Sequence, residues 1–315
     1  MFSQVTCGDG FAEDRRRDVF PDSTGDVDVD ELRTGHDVNI LQQRIALHTW
    51  TLDTTPLADT LRIAGDAGYD AVELRHVDFM RCRRAGMSEQ AIVGLVRDGH
   101  LKVAVIGTEN GVLFETGDEL KRLLGSLRYV CEKAAALDCE VIMMSPGGMG
   151  GGEAGGAVRN LKSCAEMTTG YGLKLALEFN SRHPIVNTLE AGLEIVDAVG
   201  MKNCGLLLDT YHLHRSGGGA ASFRDVPVDK IVTVQFSDVP PGPPSDAGVA
   251  VDRLPPGKGV VPFVEIFGAL MAKQYQGYMS YEAPNPEQWN RPAAVVASEA
   301  LETVRALLTE AEQER

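Results

Sequence analysis

The stretches KLALEFN (174–180) and CGLLLDT (204–210) each run apolar for several residues and then meet a carboxylate. A strand with one wet face alternates polar and apolar residues, whereas an unbroken apolar run marks a strand covered on both faces, as in a parallel sheet. Outward from this pair the same kind of run recurs as RIALHTW (44–50), DAVELRH (70–76), KVAVIG (102–107) and EVIMMSPG (140–147), and again as IVTVQFSD (231–238) and GYMSYEA (277–283). Between them lie longer amphipathic segments such as PLADTLRIAGDAG (56–68), DELKRLLGSLRYVCEKAAALD (118–138) and AAVVASEALETVRALL (293–308). In the second of these, Leu120, Leu123, Leu124, Leu127 and Val130 share one helical stripe. Eight strand–helix units match what a closed barrel needs. A doubly wound open sheet would carry G-x-G-x-x-G in its first turn, but the first strand here runs into HTWTLD. The expected fold is α/β, a single (β/α)8 TIM barrel.

Residues 1–43 break this rhythm. DGFAEDRRRDVFPDSTGDVDVDELRTGHD (9–37) is rich in Asp and has no periodic apolar face, so it cannot bury enough surface to offset the entropy of ordering. The expectation is a flexible, poorly structured acidic extension over 1–43, loosely docked or serving as a subunit-contact arm, ahead of a catalytic barrel over 44–315.

Composition excludes several classes. The 315 residues carry a formal net charge of -15, which repels a phosphate backbone and argues against nucleic-acid binding. No run reaches membrane-span length and the N-terminus has no signal-like apolar core, so no membrane partner is expected. The six cysteines show no CxxC or other ligand spacing and read as core thiols, which implies a reducing, cytoplasmic setting.

In such a barrel the chemistry sits where strands end and βα loops begin. Those positions hold Glu178 in LALEFN, Asp209 in LLLDTYH, Gln235 in VTVQFSD and Glu282 in MSYEAP. One carboxylate at an apolar strand end is as readily a satisfied structural acid. Three, with a carboxamide, on four consecutive strands would leave buried negative charge costing several kcal/mol each unless a cation neutralises it. Oxygen ligands favour one divalent ion of the Mn²⁺ kind, with Mg²⁺ or Co²⁺ as substitutes, over Zn²⁺.

On these residues the chain from about 44 to 308 resembles the xylose isomerase-like barrel family of sugar isomerases and epimerases. That family holds its metal with Glu, Asp, His and Glu at the ends of strands five to eight, so the resemblance assigns Glu178, Asp209 and Glu282 as ligands. LDTYHLHRSG resembles the family's sixth strand, with His212 three residues after the ligand Asp. RLPPGKGVVPF resembles the loop after strand seven, from which Arg253 reaches substrate. Gln235 departs from the commoner His. It resembles relatives of the 3-dehydroshikimate dehydratase type, and an amide oxygen still suits a hard cation.

Other residues admit two readings each. Trp50, with His48, ends the first run as barrel-mouth packing or as a substrate wall. Glu73 and Arg75 make a structural surface pair, while His76 beside them is a candidate base or substrate contact. Asn180 and His183 follow Glu178 as substrate contacts or solvated loop. The glycine-rich PGGMGGGEAGGA (146–157) lacks the Lys-Ser/Thr of a phosphate cradle and reads as a mobile loop over the site, with PPGPPSDAG (240–248) as an irregular loop beside it.

The resulting expectation is a metal-dependent isomerase or epimerase of a sugar or other polyhydroxy carbonyl compound. Glu178 and Glu282 exchange protons next to the carbonyl through an enediolate, and His212 hydrogen-bonds a substrate oxygen or shares the transfer. Loss of a β-hydroxyl from the same intermediate makes the alternative a lyase of the 3-dehydroshikimate or keto-inositol type. A third reading is a partner-dependent sugar-cleaving subunit. The barrel also resembles endonuclease IV, but that chemistry needs extra His ligands and a basic surface, and this chain has only seven His. The expected partner is a small sugar or keto-cyclitol, with homo-oligomer formation left open.

Overall fold

A computed structural model describes residues 40–150, 154–244 and 249–315 of the chain. The eight apolar runs become eight parallel strands closed into one barrel: β1 (Ile45–His48), β2 (Ala71–Arg75), β3 (Lys102–Gly107), β4 (Val141–Met144), β5 (Lys174–Glu178), β6 (Cys204–Asp209), β7 (Ile231–Phe236) and β8 (Met279–Tyr281). Helices at Leu57–Ala67, Gly117–Ala136 and Ala293–Gln313 occupy the three amphipathic segments named above. Of the stripe on Gly117–Ala136, Leu123, Leu127 and Val130 are buried and Leu120 and Leu124 pack partly against the same core.

The period of two along each strand decides what faces the barrel axis. Ala46, Ala71, Ala176 and Leu207 belong to a small interior cluster distinct from the large core under the helices. Two residues further along the same strands stand His48, Glu73, Glu178 and Asp209, so all four point inward at the C-terminal mouth. The register pairs Glu178 with Leu207, Asp209 with Gln235, and Gln235 with Ser280. Gln235 therefore faces inward as well, and Glu282, two beyond Ser280, joins the same ring one step after β8 ends. This climb is the stagger that closes a barrel.

Three expectations need adjustment. Residues 40–43, assigned above to the extension, are packed: Ile40–Gln43 is a 3-10 turn with Leu41 buried, and Gln42 Nε2 donates to the Arg305 carbonyl at 3.2 Å. The apolar Ile40–Leu41 pair explains this; the acidic extension itself, residues 1–39, lies outside the described residues. His76 does not end β2 but opens the helix His76–Arg84, because Asp78 accepts the Arg75 N–H at 2.8 Å and stops the strand there. The Glu73–Arg75 surface pair does not form: Arg75 binds Asp53 at 2.8 Å and Asp78 at 3.0 Å, and Glu73 points into the barrel toward Gln235. Five cysteines are buried and unpaired, with burial pushing the Cys139, Cys164 and Cys204 thiols up to about 12. Cys7 and parts of both glycine- and proline-rich loops (151–153 and 245–248) fall outside the described residues.

Candidate active site

The loop after β7 carries Arg253 back over the strand ends, and Asp238 shapes it. Asp238 Oδ1 accepts the N–H groups of Val239 and Val261, both at 2.9 Å, and Oδ2 accepts Gly259 N–H at 2.7 Å. Asp238 and Leu254 also exchange backbone hydrogen bonds of 2.8 and 2.9 Å. Gly259 is required by space: a Cβ there would stand 2.2 Å from the Val239 carbonyl oxygen. Asn285 Nδ2 then donates to the Arg253 carbonyl at 2.9 Å. The outcome is a guanidinium 1% exposed, stacked 4.7 Å over the Tyr211 ring.

Arg253 Nη1 lies 2.8 Å from Asp209 Oδ2 and 2.9 Å from Glu282 Oε2. Its Nη2 is 3.4 Å from His212 Nε2, and that nitrogen is 3.9 Å from Glu178 Oε1 and 3.8 Å from Asp209 Oδ2. Ligand atoms of Glu178, Asp209 and His212 all lie within 4.8 Å of one another. On the other side, Gln235 Nε2 donates to Glu73 Oε1 at 2.9 Å, and His48 Nε2 lies 3.3 Å from Glu282 Oε1. One buried guanidinium, in contact with Asp209 and Glu282, thus stands in a cluster of four buried carboxyl groups.

That imbalance shows in protonation. Burial, with Glu282 and Asp209 nearby, raises Glu178 well above the usual carboxylate range. Burial lifts Glu282 to about 7 against the opposing pull of Arg253, and burial with Glu282 lifts Glu73 to about 8. His212 is pushed down to about 4, burial outweighing the attraction of Asp209. Without a further cation the cluster keeps protons at neutral pH.

The residues fit a divalent cation. Asp209 Oδ2, Gln235 Oε1 and Glu282 Oε2 are buried acceptors without a hydrogen-bond donor; Arg253 meets two of them as ion-pair contacts rather than aligned hydrogen bonds. Hard oxygen acceptors in this state suit such an ion. His212 is a further donor near Glu178 and Asp209. For Nε2 to bind a cation its proton must move to Nδ1 and be donated to Ser181 Oγ, 3.0 Å away. Ser181 N–H, 3.3 Å from the same Nδ1, pulls toward the opposite tautomer, but Arg253 Nη2, which can only donate, meets Nε2 at 3.4 Å and keeps that nitrogen an acceptor.

The expected substrate residues gather around this cluster. A cavity of about 390 Å³ is lined by Trp50, Asn180, His183, His212, Arg253, Glu178 and Glu282 among others. An adjoining one of about 310 Å³ shares Trp50, Glu178 and Glu282 and adds His48, Arg75 and His76. Asn180 Oδ1 accepts Arg182 N–H at 3.0 Å. His183 Nδ1 accepts Ile185 and Val186 N–H at 3.0 and 2.8 Å, and its ring stacks on Phe114 at 4.8 Å. His76 Nε2 lies 3.3 Å from Ser126 Oγ at the cavity edge. A larger cavity, about 480 Å³, opens at the opposite mouth of the barrel and contains none of the four strand-end residues. Sequence reading missed Glu73 and underrated His48. The signal was there: both sit two residues after an interior alanine.

Comparison with known proteins agrees with this architecture. The family model described as xylose isomerase-like TIM barrel matches residues 61–307. The chain is 28% identical over 267 residues to the inosose isomerase of Halalkalibacterium halodurans, covering 81% of this chain and 91% of that one. It is 28% identical over 157 residues to the 3-dehydroshikimate dehydratase of Pseudomonas aeruginosa, covering 47% of this chain and 23% of that one. Among solved structures, the IOLI protein with a binding zinc atom superposes with a TM-score of 0.76 at 22% identity, over 84% of this chain and 98% of that one. The chain belongs to the xylose isomerase-like TIM barrel family.

Proposed function

We propose that this chain is a divalent-metal-dependent isomerase or epimerase of a keto-cyclitol or related polyhydroxy carbonyl compound. The observation that carries the reading is a pair of buried carboxyl groups, Glu178 and Glu282, lining one cavity from β5 and from the end of β8. In the metal-free chain burial raises both toward or above neutrality, so the pair binds protons or a cation rather than standing as two bare charges. The similarity to inosose isomerases over most of both chains supports a cyclitol as substrate.

Glu178, Asp209, Gln235 and Glu282 would hold the metal, Mn²⁺ by the hardness of the four oxygens, with His212 beside them. When bound, the ion polarises a carbonyl or hydroxyl oxygen and stabilises negative charge on it. One of Glu178 and Glu282 takes the proton from the carbon next to the substrate carbonyl; the C–H pair becomes the enediol double bond and the carbonyl π pair moves to oxygen. The other carboxyl returns a proton. Return to the opposite face of the same carbon re-forms the original carbonyl and gives an epimer; return to the neighbouring carbon, with the hydroxyl proton of the first carbon passing to the former carbonyl oxygen, gives a positional isomer. Arg253 donates to a substrate oxygen and His212 Nε2 accepts from a substrate hydroxyl, while Trp50, His76 and Asn180 shape the wall that excludes water. Buried free thiols suit a cytoplasmic setting.

A dehydratase is the second reading, favoured by two observations. Gln235 replaces the commoner His, and the chain is similar to 3-dehydroshikimate dehydratases. Incubating Mn²⁺-loaded protein with inosose and with 3-dehydroshikimate separates the two: a rearranged product of unchanged mass supports isomerisation, and loss of water with new ultraviolet absorbance supports dehydration. Neither outcome on any keto-cyclitol, keto-sugar or dehydroshikimate would leave the proposal without support.

A further inference from the structure

We propose that His48 and Glu73, register partners on β1 and β2, form a positioning pair that aims Glu282 and the Gln235 amide oxygen at the metal and substrate side of the barrel. The inference rests on the reading of the site given above and assigns a task to strands on which that reading places no ligand. His48 and Glu73 are direct Cα partners, 3% and 0% exposed.

His48 is locked in one tautomer. Trp50 N–H donates to its Nδ1 at 3.0 Å, so the proton of the neutral ring sits on Nε2. The Nε2–H faces Glu282 Oε1 at 3.3 Å and, more distantly, Glu73 Oε1 at 3.7 Å. It therefore stands beside one oxygen of Glu282, with Oε2 on the side of Arg253.

Glu73 does the complementary work. Its Oε1 accepts from Gln235 Nε2 at 2.9 Å. A carboxamide has its donors at one end and its acceptor at the other, so tethering the nitrogen turns Gln235 Oε1 away from Glu73. That oxygen is buried and has no hydrogen-bond donor. Without Glu73 the amide is free to turn over and present N–H to the carboxylates, an orientation useless for ligation. Outer partners of this kind orient ligands and tune affinity.

The test compares Glu73→Leu, Glu73→Met and Glu73→Gln with the parent by calorimetric titration with MnCl₂, alongside thermal unfolding and kcat and KM for inosose. Glu73→Leu leaves the Gln235 N–H without its acceptor, so thermal unfolding is followed alongside, and Met, closer in length, is the safeguard should Leu not fold. Glu73→Leu and Glu73→Met are expected to weaken Mn²⁺ binding about tenfold or more. Glu73→Gln retains an acceptor oxygen and is expected to recover most of the loss. Adding Glu73→Leu to Gln235→Leu should cost nothing further, because the pair acts as one unit. His48→Leu is expected to lower kcat about tenfold with little change in KM, and His48→Gln, which keeps an N–H donor, to recover part of it. Equal Mn²⁺ affinity in the parent, Glu73→Leu and Glu73→Met overturns the pair alone. A parent that binds no Mn²⁺ overturns the metal reading and the pair with it.

Discussion

Arg253 Nη1 stands 2.8 Å from Asp209 Oδ2, inside the barrel mouth and almost fully buried. A fixed cation among carboxylates competes with a metal for the same charge while offering substrate a guanidinium that is always protonated. Arg253→Met is therefore expected to lower kcat/KM about a hundredfold, the scale of removing a donor to developing oxyanion charge. Mn²⁺ affinity should stay equal or increase. A variant that turns over normally, or that loses metal instead of activity, contradicts this role.

The carboxyl cluster makes a prediction about pH. Glu73 and Glu282 titrate near 8 and 7 in the folded, metal-free chain, above the ordinary value of 4.5. A raised folded value means that the stabilising contribution is full below the unfolded value and is lost as pH rises through the folded one. Metal-free protein should therefore show a melting temperature that falls between about pH 5 and pH 8 from this source. Mn²⁺ bound by these carboxyl groups would have to displace those protons, so its affinity and its stabilising effect should both grow over the same interval. Calorimetry in buffers of different ionisation enthalpy should detect proton release on Mn²⁺ binding near neutrality. Metal affinity independent of pH would contradict the assignment.

Gln235→His restores the imidazole usual in the family resemblance. It is expected to keep metal binding and shift preference toward Zn²⁺, since imidazole is the softer ligand. Metal-dependent turnover of both proteins across Mn²⁺, Mg²⁺, Co²⁺ and Zn²⁺ checks this. Identical preference would place residue 235 outside the ligand set.

Gly259→Ala tests how the loop carries Arg253. A methyl group 2.2 Å from the Val239 oxygen forces the loop off Asp238, at a cost of about 1–3 kcal/mol. Thermal unfolding should show the loss, and KM should rise because Arg253 moves with the loop. An unchanged KM with lowered stability would separate the loop from substrate binding.

Much of this was legible because strand burial and barrel topology leave a plain trace. Continuous apolar runs marked the strands, and polar residues at their ends marked Glu178, Asp209, Gln235 and Glu282. What was not legible lies in side-chain pairing across the barrel. Glu73 and Arg75 are two apart on one strand and share an inward parity, yet Arg75, at the strand end, turns to Asp53 and Asp78 while Glu73 meets Gln235, 162 residues away. Nothing local distinguishes those outcomes. His48 is similar: its role follows from a backbone N–H at Trp50 that fixes its tautomer, a detail of a 3-10 turn that composition does not reveal. Ile40–Gln43 escaped notice because a four-residue turn is too short to show a period.

The most direct test of the proposed chemistry is deuterium incorporation. Mn²⁺-loaded protein is incubated with inosose in D₂O, quenched with chelator, and the cyclitol is analysed by mass spectrometry. The account predicts metal-dependent uptake of deuterium at carbon next to the carbonyl, faster than the chelated control and abolished by Glu178→Gln and by Glu282→Gln with the fold intact. Uptake no faster than the control across inosose, keto-sugars and 3-dehydroshikimate, from protein shown by calorimetry to hold Mn²⁺, would contradict proton abstraction as the reaction of this site.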